Sequence, residues 1–126
     1  MINKIGKITL YVSNQDEAKK FWIEKLGFVV KFEQAMGPGM KWIEVGPSEE
    51  EFTTFVLYDK NLMLAQNSKA NVAHPSILLS TKNIQSAYSN MKEKKVEVGE
   101  LMNMPYGKMF SFKDQDGNEY LLREDK

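Results

Sequence analysis

LYVSNQDEAKKFWIEKLGF, residues 10–28, changes its hydrophobic period partway along. Up to Val12 the chain alternates, with Ile8, Leu10 and Val12 on one face and Lys7, Thr9 and Tyr11 on the other. That period of two predicts a strand over Lys7–Val12 with one buried side. Beyond Ser13 the apolar residues are Ala18, Phe21, Trp22 and Leu26, which recur at helical spacing. Ser13 is the expected N-cap, with Asp16 three residues on, and Gly27 is the expected stop. A helix with one apolar stripe needs a sheet to cover it. The next alternating runs, Phe28–Phe32, Lys41–Val45 and Phe52–Tyr58, supply three more strands, separated by the breakers Gly37-Pro38-Gly39 and Gly46-Pro47-Ser48. The first half therefore reads as βαβββ.

The second half repeats the plan. A strand is expected at Ser76–Ser80, then a helix carrying Ile84, Ala87, Tyr88 and Met91, then strands near Val96–Val98, Lys108–Phe112 and Glu119–Arg123. Sliding the second half back onto the first by one constant offset superposes Ile77 on Ile8, Leu79 on Leu10, Ala87 on Ala18 and Met91 on Trp22. An internal repeat of this kind decides the fold, because each copy alone has an apolar face to bury. The expected organisation is one domain over residues 1–126, made of two modules, 1–62 and 72–126. Asn61–Val72 joins them, with a short helix around Leu62, Met63 and Leu64.

The last expected hairpin, FSFKDQDGNEYLLRED at 110–125, packs five carboxylates around Asp116-Gly117. A calcium loop with Gly117 at its sixth position would need oxygen donors where the chain has Phe112 and Arg123, so that reading fails. Asp114 and Asp116 are read as turn formers.

Composition narrows the function classes. Seventeen basic residues balance seventeen acidic ones, and no basic cluster interleaves with aromatics, so nucleic acid is not an expected partner. The chain has no cysteine, which removes disulfides, thiolate metal sites and Cys nucleophiles and fits a reducing compartment. No apolar run approaches the roughly 20 residues of a membrane span, and a cytoplasmic location is expected.

The opening LYVSNQDEAKKFWIEKLGF and the closing FKDQDGNEYLL, together with the duplicated module, resemble the vicinal-oxygen-chelate superfamily of glyoxalases, bleomycin-resistance proteins and extradiol dioxygenases. The resemblance covers essentially the whole chain. It implies an α+β fold in which two βαβββ modules form a U-shaped mixed sheet around a cavity, in a homodimer. In metal-dependent members the first and last strands of each module supply His, Glu or Gln ligands. By the resemblance those positions fall on Lys7, Val56, Ser76 and Leu121. An ammonium has no lone pair, and valine and leucine have no donor atom, so this set does not suit a divalent ion. No metal or cofactor is expected.

The face alternating away from the helices gives the expected ligand-binding residues: Lys7, Thr9, Tyr11, Trp42, Glu44, Thr54 and Tyr58 in the first module, and Ser76, Met109, Ser111, Glu119 and Arg123 in the second. Apolar and aromatic area with a few fixed polar groups is what a small-molecule site requires. For Lys7 the structural alternative is an ion pair with Glu44 or Glu119; for Trp42, a core role; for Arg123, a rim pair with Glu119. His74, the single histidine, is read as leading into the strand after Pro75. Ala35–Met40 and Leu101–Gly107, rich in Met, Gly and Pro, are expected as mobile loops that act as lids or dimer contacts. The expected function is metal-free binding of a small organic molecule. Two alternatives are a glyoxalase-like lyase or isomerase working through His74, Glu44, Glu119 or Lys7, and a dimeric interaction module with a filled cavity.

Overall fold

Two four-stranded mixed sheets carry the chain, each with a helix on one face; the computed structural model describes residues 1–125. The first compact unit spans Met1–His74 and the second begins at Pro75.

In the first unit β1 (Lys7–Val12) leads into α1 (Gln15–Lys20), then β2 (Val29–Gly37), β3 (Met40–Gly46), β4 (Thr54–Asp59) and a short α2 (Lys60–Gln66). The sheet order is β1-β4-β3-β2, with β1 parallel to β4 and the other pairs antiparallel. The second unit has β5 (Leu78–Ser80), α3 (Ile84–Glu93), β6 (Met102–Met104), β7 (Gly107–Lys113) and β8 (Glu119–Asp125), in the order β5-β8-β7-β6. Register repeats with order. Thr9 pairs with Val56, and their counterparts in the second copy, Leu78 and Leu121, pair with each other.

Each core lies between a sheet and its helix. In the first unit Leu10, Val12, Ile43, Val45 and Leu57 point to the helix side and are buried with Ala18 and Trp22. Trp22 packs edge-on against Phe55, with ring centroids 5.2 Å apart, and lies 4.8 Å from Phe28. In the second unit Tyr88 of α3 meets Phe110 at 4.9 Å, and Phe112 stacks on Tyr120 at 5.2 Å. Each fully buried large side chain contributes roughly 1.5–3 kcal/mol.

The cap of α1 is Asn14, not Ser13: its side chain accepts from the Glu17 backbone N–H at 2.9 Å. Asn83 caps α3 in the same way through Ser86, at 3.0 Å, so the cap itself is part of the repeat. A serine and an asparagine side by side are both good caps, and the structure selects the one that repeats. After Lys20 the helix widens into π geometry over Phe21–Lys25, which lets the adjacent Phe21 and Trp22 both be buried. Gly27 then takes φ +72°, and the Phe28 N–H closes the end by donating to the Trp22 carbonyl at 2.9 Å.

The two Met-rich segments expected as loops are largely strand. Ala35–Gly37 continues β2, and a tight turn at Pro38-Gly39 leads into β3, with Gly37 opposite Met40. Met102–Met104 forms β6 and turns through Pro105 and Tyr106 into β7. Glycine and proline here mark the hairpin bends rather than whole loops. Val96–Val98, expected as a strand, contributes a single bridge between Val98 and Phe112. Ser76 lies before β5, which starts at Leu78. The β7–β8 turn also differs from a two-residue bend. Its last strand pair is Lys113 with Glu119, and the segment between them folds around Asp114. The Asp114 carboxylate accepts from the backbone N–H groups of Asp116 (2.9 Å) and Asn118 (3.0 Å) and from the Tyr120 hydroxyl (2.7 Å).

Candidate functional site

Strand register assembles one polar and aromatic surface on the side of the first sheet away from α1. Partners in register project to the same face. Lys7 is opposite Thr54, Thr9 opposite Val56, and Tyr11 opposite Tyr58; Glu44 is opposite Val56 from the other side. Trp42, two residues from Glu44, shares its side. The first-unit residues expected from sequence, Lys7, Thr9, Tyr11, Trp42, Glu44, Thr54 and Tyr58, thus lie on one face.

Glu44 is the polar centre. It is 7% exposed. The Lys7 ammonium donates to its Oε1 at 2.9 Å, the Thr54 hydroxyl donates to the same oxygen at 3.0 Å, and the Trp42 indole N–H donates to Oε2 at 2.7 Å. Burial pushes the Glu44 carboxyl up and is the largest single influence, but the hydrogen bonds from Trp42, Lys7 and Thr54, with the Lys7 charge, together hold it below the ordinary carboxylate range. It stands as a fixed anion. The pair is unevenly buried, with the Lys7 side chain 51% exposed and that of Glu44 9% exposed. Beside it, Tyr58 meets Trp42 edge-on at 6.0 Å and Tyr11 edge-on at 6.2 Å, and its hydroxyl donates to Gln66 of α2 at 2.8 Å. Trp42 itself is half-buried, a wall with one open side.

Sequence alternation did not include Phe32 and Gln34, which the structure adds to this face opposite Glu44 and Trp42. The cause is a bulge between Val30 and Phe32. An inserted residue reverses which side chains share a side, and no local pattern announces it. The bulge residue Lys31 donates to the carbonyls of Ser48 (3.4 Å), Glu49 (2.5 Å) and Glu51 (2.9 Å), tying down the β3–β4 loop.

In the second unit Met109, Ser111, Glu119 and Arg123 also share the side away from the helix, through the pairs Met109–Arg123, Ser111–Leu121 and Lys113–Glu119. Leu78, Leu121 and Met102 join them. This face is aliphatic and sulfur-rich where the first is aromatic. Arg123 forms an ion pair with Asp125, at 2.5 Å, and its guanidinium lies 5.6 Å from the centre of the Tyr106 ring. Ser76 is exposed, outside the strand.

The metal positions implied by the resemblance do not fit a cation. Lys7 already engages Glu44, Val56 is buried hydrocarbon, Leu121 is hydrocarbon, and Ser76 precedes its strand. Half-buried His74 lies at the end of the first unit, ahead of β5. Among the described residues, no three His, Asp or Glu side chains are gathered as a metal-binding group.

A family profile described as Glyoxalase/Bleomycin resistance protein/Dioxygenase superfamily matches residues 4–121. The uncharacterised protein YetH of Bacillus subtilis (strain 168) is 40% identical over 126 residues, covering 98% of this chain and 100% of its own. Among solved structures, TnmS3, an antibiotic binding protein from Streptomyces sp. CB03234, has a TM-score of 0.83 at 27% identity, covering 99% of this chain and 98% of its own. A Glyoxalase/bleomycin resistance protein/dioxygenase superfamily member from Sphaerobacter thermophilus DSM 20745 has a TM-score of 0.82 at 27% identity, covering 98% of both chains.

Proposed function

Because the chain belongs to the Glyoxalase/Bleomycin resistance protein/Dioxygenase superfamily, we propose that it binds a small organic molecule without a metal, on the sheet faces turned away from its helices. The observation that carries this reading is the Glu44 centre. A buried carboxylate that accepts from Lys7, Trp42 and Thr54 holds the open Trp42 ring in a fixed orientation beside Tyr58 and Tyr11. Rigid aromatic walls supply contact area at little entropic cost, and the polar centre supplies orientation. The likeness to TnmS3, described as an antibiotic binding protein, supports the same class of ligand. Sequestration needs binding alone. The Glu44 carboxyl is held below the ordinary carboxylate range, whereas a general base works best with a pKa near the working pH.

The working form is a homodimer in the cytoplasm. Its support is the apolar area exposed in a single chain, including Leu78 and Tyr106 at 51% each and Phe52 at 56%, and a sequence without cysteine.

Native mass spectrometry of the purified protein tests the ligand. The expected spectrum carries an added organic mass that is released on denaturation and is reduced in Trp42→Leu. Stoichiometric nickel or zinc, retained without added metal and lost in His74→Ala, would overturn the reading.

A further inference from the structure

Lys7 and Lys31 illustrate two ways to hold an ammonium. Lys31 has three N–H donors and gives them to three carbonyls of the β3–β4 loop. Lys7 has the same three donors and gives one to Glu44. Its side chain is half exposed while its partner is buried, so an approaching molecule meets the cationic end of the pair. The Glu44 oxygens also accept from Thr54 and Trp42. Along this face Lys7 sits beside Thr9 of β1 and Thr54 and Val56 of β4, with its partner Glu44 of β3 as a charged neighbour. The Trp42, Tyr58 and Tyr11 rings continue the surface.

We infer that this face selects flat aromatic molecules carrying an anionic oxygen, with Lys7 as the group that receives the oxygen and Trp42 as the ring wall beside it. The inference rests on the small-molecule reading above and adds the charge of the ligand. A charge-assisted hydrogen bond discriminates between an oxyanion and its neutral analogue of the same shape.

Naphthalene-2-sulfonate and naphthalene-2-sulfonamide are the probes, alike in shape and different in charge. The full chain is labelled with ¹⁵N, and the Trp42 indole N–H resonance, assigned with Trp42→Phe, is followed in titrations of wild type, Lys7→Met and Lys7→Arg. The wild type is expected to bind the sulfonate about tenfold more tightly than the sulfonamide, the difference typical of one charged hydrogen bond. Lys7→Met should abolish that preference, and Lys7→Arg should keep most of it. The dispersion of the rest of the spectrum checks that each variant is folded. Equal affinities in wild type, or a preference that survives in Lys7→Met, would overturn the inference and leave small-molecule binding standing. If neither probe moves the resonance, both readings fall; a resonance that instead moves on dilution assigns the face to a second copy of the chain.

Discussion

A carboxylate 7% exposed survives as an anion at Glu44 because three donors from three strands reach it. Replacing it with glutamine keeps the shape but puts an amide group where an acceptor stood. Glu44→Gln should lower stability at neutral pH by about 1–3 kcal/mol, measured by urea unfolding. The pH dependence has a definite sign. A folded-state pKa held below the ordinary value contributes stability that is present above the ordinary carboxylate range and is lost as pH falls through the lowered value. The wild type should therefore lose more stability than Glu44→Gln on acidification from about pH 6 to about pH 3. Parallel losses would mean that the Glu44 charge is not stabilised by the fold. Much of this centre was legible in the sequence, since alternation alone puts Lys7, Thr9 and Tyr11 together and Trp42 with Glu44. Which carboxylate Lys7 would meet was not legible, because strand order decides it and strand order is a long-range property. It meets Glu44 of β3, with β4 lying between the two strands.

Helices α1 and α3 are both followed by a residue in the left-handed conformation, but of different kinds. After α1 the left-handed position is Gly27, and after α3 it is Lys95 at φ +62°. In the second case the Val96 N–H donates to the Met91 carbonyl at 2.9 Å. A side chain in that conformation is strained, and glycine is not. Lys95→Gly should raise stability by about 0.5–1 kcal/mol, while Gly27→Ala should lower it by about 1 kcal/mol, both read from thermal unfolding. Failure of Lys95→Gly to stabilise would indicate that the lysine side chain makes up for its backbone strain. The β7–β8 turn makes a further case at this scale. Burial, followed by the neighbouring Asp114 charge and hydrogen bond, pushes the Tyr120 hydroxyl far above its ordinary range, so it remains a donor. Its contribution is complete below about pH 10 and is lost only in stronger alkali. Tyr120→Phe should remove about 1–2 kcal/mol and that alkaline dependence together, measured by denaturation at neutral and high pH. Period and breakers in the sequence disclosed the helices and most of the strands. They misjudged the segments around Met36 and Met104, because glycine and proline signal a bend without saying how many residues it takes.

Both units expose apolar side chains that a lone small domain would rather bury: Ile2 at 89%, Ile5 at 72% and Phe52 in the first, and Leu78, Met102 and Tyr106 in the second. Light scattering should therefore give twice the 14.5 kDa chain mass at micromolar concentration. A monomer at every accessible concentration would remove the dimer from the proposed working form. The duplication was readable from the constant offset that carries Ile8 onto Ile77 and Ala18 onto Ala87. It extends to the pairing of strands and to the asparagine caps, neither of which hydrophobic spacing encodes.

That shared register has an evolutionary corollary. Each copy packs its helix side closely, while its opposite side mixes buried groups such as Glu44, Thr54, Val56 and Met109 with more open ones such as Lys7 and Trp42. One copy has acquired rings and an ion pair there, the other thioethers and branched hydrocarbon. Laboratory libraries would do well to randomise the open positions of that side first and to leave Glu44 and Thr54 in place.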